Sequence, residues 1–226
     1  ILNACRFCCW IGNEIYLTET RQTGQKYYHF LLLAKDAIGH KALRELSSIA
    51  WINSYIDRRM ERVPTLKSEL KDVMSKYKGH VIATTACIGG ELGSCLLPMY
   101  EANLVNDQNT VTNYSIQIMD FINYCIEVFG EDDFYLECAP SNKEDQMIYK
   151  ISQSTGLKMV IGTDSHYLTK EDRAIHKAYL NSKEGEREVD TFYEFAHLMT
   201  SDEIFELMES DADTWDSNKS GKEILD

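Results

Sequence analysis

Five residues carry side chains suited to binding a metal ion: Glu14, His29, Cys87, Asp164 and His166. Each stands in an otherwise apolar segment, at or near the end of a stretch that reads as a strand. Carboxylate, imidazole and thiolate are all competent ligands for zinc, manganese or iron. Such a set suits metal-assisted phosphoester hydrolysis, with water activated on one ion and the leaving oxygen stabilised by a second. Asp164 and His166 form an Asp-x-His pair in KMVIGTDSHYL. At i and i+2 of an extended segment they point to one side. Cys87 opens the turn CIGGE, in which Gly89 and Gly90 permit close backbone approach to some neighbour, or simply make a tight turn. Any one of the five alone reads better as an isolated polar group in a core, and a lone His in an apolar strand is more often that than a ligand. The metal reading rests on all five together. Cys5, Cys8 and Cys9 make a C-x-x-C-C cluster, but a structural zinc site needs a fourth ligand and no second cysteine pair follows, so this reads as a buried or non-native end.

Positioning these residues requires strands and helices in alternation. Strands are expected at residues 14–17 (EIYL), 27–35 (YYHFLLLAK), 80–86 (HVIATTA), 132–137 (DDFYLE) and 159–161 (MVI). The second is apolar nearly throughout, as for a strand covered on both faces. Apolar residues at helical spacing mark helices at about 40–55, from Thr65 to Lys78, over 111–129 and over 143–155. A short helix follows the CIGGE turn and runs to Pro98. Gly79, Gly130 and Gly156 stand where helices stop. Thr169 with Asp172, and Thr200 with Glu203, are capping boxes that start two more helices, the second running through Glu209. Residues 58–64 read as a basic loop, 101–110 as a polar connection, 183–190 as a charged loop, 192–195 as a short edge strand, and 210–220 as an acidic polar stretch. The pattern argues for an α/β fold with a parallel sheet or barrel and helices outside. In such a barrel the strands at 27–35, 81–86, 134–137 and 159–161 are mutually parallel, the five candidate ligands converge at one mouth, and Cys5, Cys8 and Cys9 lie away from it.

The 226 residues suffice for one large α/β domain or two small ones. The net charge of -13 excludes a broad basic footprint for gripping duplex nucleic acid, so any such contact is local, metal-assisted or made elsewhere in a larger protein. No stretch approaches the length of a membrane span, and the first residues show no signal peptide. An odd seven cysteines without regular spacing argue for reduced thiols in a cytoplasmic setting. With no initiating Met, the chain reads as a fragment.

YHFLLLAKDAIGHKALREL, HVIATTACIGGEL, DDFYLE and VIGTDSHYLTKEDRAIHKAYL, in that order, resemble the polymerase and histidinol phosphatase (PHP) domain of the bacterial DNA polymerase III alpha subunit. The resemblance covers residues 12–209, with 1–11 an atypical segment and 210–226 an acidic tail that begins a further element. It implies a distorted (β/α) barrel of the PHP type, incomplete at its N-terminus, with a multi-metal cleft for phosphoesterase or 3′–5′ exonuclease chemistry in some members and none in others. Carried over by position, it makes Glu14, His29, Cys87, Asp164 and His166 metal ligands (Zn, Mn or Fe), with Gly89, Gly90, Glu91 and His176 in support. The family's opening His-x-His strand has no counterpart here, and Cys138-Ala139-Pro140-Ser141 replaces the usual Gln and His after the fourth strand. This chain alone is therefore expected to hold an incomplete site and hydrolyse weakly or not at all. The parent protein implied is a Mg-dependent DNA-directed DNA polymerase of DNA replication, whose partners are DNA, other replisome subunits and an editing exonuclease, and no membrane. Two alternatives stay open: a free-standing PHP phosphoesterase, and a purely structural barrel that docks the exonuclease.

Overall fold

The computed structural model describes residues 11–139, 145–182 and 193–210. The chain divides into two compact units, Ile1–Leu136 and Glu137–Asp226.

The first unit is built on a mixed sheet. Strand β1 (Ile11–Thr18) pairs antiparallel with β2 (Tyr28–Ala34) through the polar turn between them. Asp36 then caps helix α1 (Ala37–Ile52), accepting from the Ile38 and Gly39 N–H groups at 2.9 Å each. Those bonds, with the His80 ring at 2.7 Å, hold its carboxyl below the usual range. A small hairpin, β3 (Tyr55–Asp57) and β4 (Met60–Arg62), precedes the two-residue β5 (Thr65–Leu66), which pairs parallel with the end of β1. Helix α2 (Lys67–Lys76) leads to β6 (Val81–Thr84), antiparallel to β2. Helices α3 (Gly93–Leu104) and α4 (Gln108–Phe129) lead to β7 (Phe134–Cys138), parallel to β6. One sheet face carries Ile15, Leu17, Phe30 and Leu32, all buried. Phe30 packs edge-on against Phe121 and tilted on Phe129 of α4, at ring separations of 6.1 and 6.0 Å. Burying such side chains contributes about 1.5–3 kcal/mol each. The other face carries Glu14, Tyr16, His29 and Leu31, none fully buried.

In the second unit, helix α5 (Gln146–Thr155) ends at Gly156, in the left-handed conformation at φ 76°. Strand β8 (Met159–Ile161) follows, and Gly162 N–H donates to the Cys138 carbonyl at 3.0 Å. A single 3-10 turn, Lys170–Asp172, starts α6 (Arg173–Asn181), and α7 (Ser201–Ser210) comes last. Both predicted capping boxes form, Thr169 with Asp172 and Thr200 with Glu203. Among the described residues no helix is long and apolar enough to cross a membrane.

Several expectations are corrected. Strands β2 and β6 run antiparallel, so the strands at 27–35, 81–86, 134–137 and 159–161 are not mutually parallel. An apolar run carries no direction, and direction was the one thing inferred from alternation alone. Nor is β2 covered on both faces: Phe30, Leu32 and Ala34 are buried while Tyr28, His29, Leu31 and Leu33 are half-exposed. Residues 58–64 are not a loop, since the β3–β4 hairpin turns on Arg58-Arg59 without the usual Asn or Gly. Thr65 opens a strand rather than a helix. Helix α3 continues through Pro98 to Leu104, so the proline forgoes its own N–H bond without ending the helix. Tyr193–Phe195 are turn, not strand. Cys5, Cys8 and Cys9, residues 183–190 and nearly all of the acidic tail lie outside the described residues.

Candidate metal centre

Sheet register brings the first two candidate ligands together. Glu14 sits opposite Leu31 and His29 opposite Tyr16, so Glu14 and His29 are diagonal neighbours on one face of the β1–β2 pair. His29 Nδ1 lies 2.8 Å from Glu14 Oε1. Tyr16, two residues from Glu14, presents its ring edge-on to the imidazole with centroids 5.3 Å apart.

Cys87 reaches the same imidazole from the turn after β6. Its Sγ stands 3.4 Å from His29 Nδ1 and accepts from Gly89 N–H at 3.4 Å. The glycine turn is stitched to the strand: His29 N–H donates to the Gly89 carbonyl at 3.0 Å, and Gly90 N–H to the Cys87 carbonyl at 2.8 Å. A Cβ on Gly89 would stand 3.0 Å from His29 Nδ1, and one on Gly90 would stand 2.3 Å from the Thr85 carbonyl oxygen. The neighbour that the glycines were expected to admit is therefore His29, with the turn's own backbone. Ala86, just before the thiol, holds φ 56°, which costs an L-residue about 1–2 kcal/mol. Glu91 ties the turn to α2: Lys67 Nζ binds it at 2.8 Å and Glu19 at 2.6 Å. Burial pushes the Glu91 carboxyl up while Lys67 pulls it down, and the net is upward. Burial would lower the Lys67 ammonium, but its two carboxylates outweigh that and raise it.

The Glu14, His29 and Cys87 ligand atoms all lie within 4.8 Å of one another. Two ligands of one tetrahedral ion, with bonds of about 2.0–2.3 Å, stand roughly 3.3–3.8 Å apart. The His29–Cys87 spacing falls in that range, and the shorter Glu14–His29 contact is a direct carboxylate–imidazole pair that an ion would replace. Oxygen, nitrogen and sulfur donors on one half-open face fit a divalent ion of the zinc, manganese or iron type.

Asp164 and His166 belong to the second unit. The strand ends at Ile161, and Asp164 adopts φ 43° rather than an extended conformation. The i, i+2 argument therefore fails, and a turn joins the pair instead. His166 Nδ1 lies 2.5 Å from the Asp164 carbonyl oxygen and 3.9 Å from its Oδ1. Rings surround the imidazole, with His176 of α6 at 5.7 Å and Tyr193 at 4.9 Å between centroids. Burial, then the His166 charge, lowers His176. His197 is buried, stacks on Tyr167 at 6.4 Å and lies 3.3 Å from Glu203 Oε1.

The PHP domain family profile matches residues 3–141, more than half of the chain. The chain belongs to the PHP domain family. Among curated relatives, "Probable DNA polymerase YorL" of Bacillus subtilis (strain 168) is 43% identical over 212 residues, which cover 88% of this chain and 16% of that protein. The "DNA-directed DNA polymerase" of Bacillus phage SPbeta matches with the same figures. The "DNA polymerase III subunit alpha" of Borreliella burgdorferi is 33% identical over 174 residues, covering 72% of this chain and 13% of that protein. The chain thus spans about a sixth of the length of the first two relatives. PHP domains are distorted (β/α) barrels and metal-dependent, which agrees with the mixed α/β architecture and the Glu14–His29–Cys87 group. Two residues of this PHP site escaped the sequence reading. Tyr16 shares the face of Glu14 by simple alternation, a signal that was present. Lys67 gave none, since its partners Glu19 and Glu91 are distant in sequence.

Proposed function

We propose that this chain is the PHP domain of a replicative DNA polymerase of the alpha-subunit kind. On this reading its site is of the metal-dependent phosphoesterase or 3′–5′ exonuclease type. The observation that carries the reading is the meeting of Glu14, His29 and Cys87 on one sheet face, in a family whose relatives bear polymerase names. Asp164 and His166 are proposed as ligands on their chemistry and on the likeness of VIGTDSHYL to the family. The parent protein would polymerise DNA with Mg, in the cytoplasm, beside other replisome subunits and an editing exonuclease.

Each residue has a part. Glu14 supplies an anionic oxygen and orients the His29 ring. Cys87 supplies sulfur, and the Gly89 N–H donates to it. Tyr16 and Gly89 fix the imidazole from two sides, so the donors wait in place. A bound divalent ion would polarise a phosphoryl oxygen and make water a nucleophile at neutral pH.

The test is cobalt binding under reducing conditions, read from the thiolate-to-cobalt charge-transfer band. Cys87→Ser should abolish part of that band and weaken affinity by about 100-fold or more, beyond the 10–100-fold typical of a residue that only supports a ligand. A band and affinity unchanged in Cys87→Ser would sink the metal reading. Release of nucleotides from a single-stranded DNA 3′ end, measured alongside with manganese, reports whether the site turns over.

A further inference from the structure

We propose that the β3–β4 hairpin and the end of α1 form a grip for single-stranded nucleic acid, with Arg58 and Arg59 on phosphates and Trp51 stacking a base. The hairpin turns on two residues only, and both central residues have positive φ, 49° at Arg58 and 67° at Arg59. That mirror-image turn favours Asn-Gly, because a side-chain-bearing L-residue in the left-handed region costs about 1–2 kcal/mol. Two arginines in succession there are a stability loss that packing does not recover, since both side chains are exposed. Strain of this kind gathers at functional positions. Neither arginine pairs with a carboxylate among the described residues. Arg21, by contrast, is bound to Glu69 at 2.5 Å, and Arg62 lies over the Tyr27 ring at 5.8 Å, anchoring the hairpin. The tip therefore presents two unneutralised guanidinium groups on a chain of net charge -13.

The hairpin strands and the end of α1 that leads into them also expose apolar side chains. Trp51 is 58% exposed, Ile56 70% and Met60 57%. A guanidinium fork matches phosphate geometry, and an exposed ring gives every base a stacking partner whatever its sequence. Position favours nucleic acid over an acidic peptide: Trp51 lines the same cavity of about 160 Å³ as Glu14, one of the three donors suited to phosphoester chemistry. The choice of a nucleic acid partner rests in part on the function proposed above, while the grip needs no metal.

The experiment measures binding of a fluorescently labelled oligothymidylate to the full chain by anisotropy, in EDTA, over a range of salt. The double variant Arg58→Asn/Arg59→Gly places in the turn the residues it favours, so its melting temperature should hold or rise. Its affinity should fall about 10-fold, and its salt dependence should flatten by about 1.4 in log–log slope, for two phosphates at roughly 0.7 each. Trp51→Ala should weaken binding roughly fivefold or more with the slope unchanged. Because EDTA removes any divalent ion from the assay, failure of the metal centre and failure of the grip read out separately. Absence of binding by the parent chain at low salt, or the same affinity and slope in the double variant, would overturn the proposal. So would tighter binding of a polyglutamate peptide than of the oligonucleotide.

Discussion

Two carboxylate–imidazole pairs in this molecule are held by different kinds of backbone. Glu14 and His29 stand on separate strands and meet only because the β1–β2 register is correct. Asp164 and His166 are two residues apart and meet through one turn, with His166 Nδ1 on the Asp164 carbonyl. The first pair is a product of tertiary structure, and slipping the register by one residue would put the two side chains on opposite faces. The second pair is local. It depends on a single left-handed residue and on the rings of His176 and Tyr193 around the imidazole. Precision at the first pair is thus shared over a sheet, whereas at the second it is concentrated in a few dihedral angles.

The sharpest way to break the contrast is at Gly90. Gly90→Ala sets a Cβ 2.3 Å from the Thr85 carbonyl oxygen and 3.2 Å from that of His29, both of them backbone. We expect a loss of about 3 kcal/mol, a fall in melting temperature of roughly 6–12 °C, and weaker cobalt binding. A melting curve like the parent's would show that the turn does not hold the strand.

A smaller effect is expected at Asp164. Asp164→Gly should leave the melting temperature within about a degree, because glycine accepts positive φ freely. Asp164→Ala removes the same carboxylate but keeps the strained angle, and should cost about 1 kcal/mol, or roughly 2–4 °C. Equal melting of the two variants would argue that the second pair, too, is held by a wider network.

The smallest effect is a pH dependence confined to the second unit. Lys170 first, then Thr200 and His197, lower the Glu203 carboxyl from 4.5 to about 2. A depressed carboxyl stabilises above its unfolded value and loses that contribution as pH falls through the folded one. Amide protection factors in α7, corrected for the intrinsic pH dependence of exchange, should therefore fall between about pH 4.5 and 2, and Glu203→Gln should remove that dependence. Protection factors in α7 of the parent chain that do not change with acidification would count against this.

Much of this was legible in the sequence because it is locally encoded. The capping boxes at Thr169 and Thr200, the stops at Gly130 and Gly156, and the glycine turn after Cys87 each follow from short-range chemistry. Strand direction was not legible, since YHFLLLA reads the same beside either neighbour. The β3–β4 hairpin was hidden because Arg58-Arg59 is not turn chemistry. Of the candidate site, alternation along β1 and β2 places Glu14, Tyr16 and His29, but only register shows that they share a face. Asp164 and His166 were found by motif, yet the extended geometry assigned to them was wrong, because side-chain spacing says nothing about the sign of φ.

The two glycines beside His29 leave different marks on what substitution can do over time. Every replacement of a glycine adds atoms. At Gly89 the obstructing group is the His29 ring, a side chain, so a lineage that gave up the imidazole would gain room for a larger residue there. At Gly90 the obstruction is peptide oxygen, and no change elsewhere in the sequence removes a peptide oxygen. Position 89 should thus drift together with position 29, while position 90 stays glycine even where the histidine has gone. Natural variation at these two sites then separates descendants that abandoned the chemistry from those that abandoned the turn.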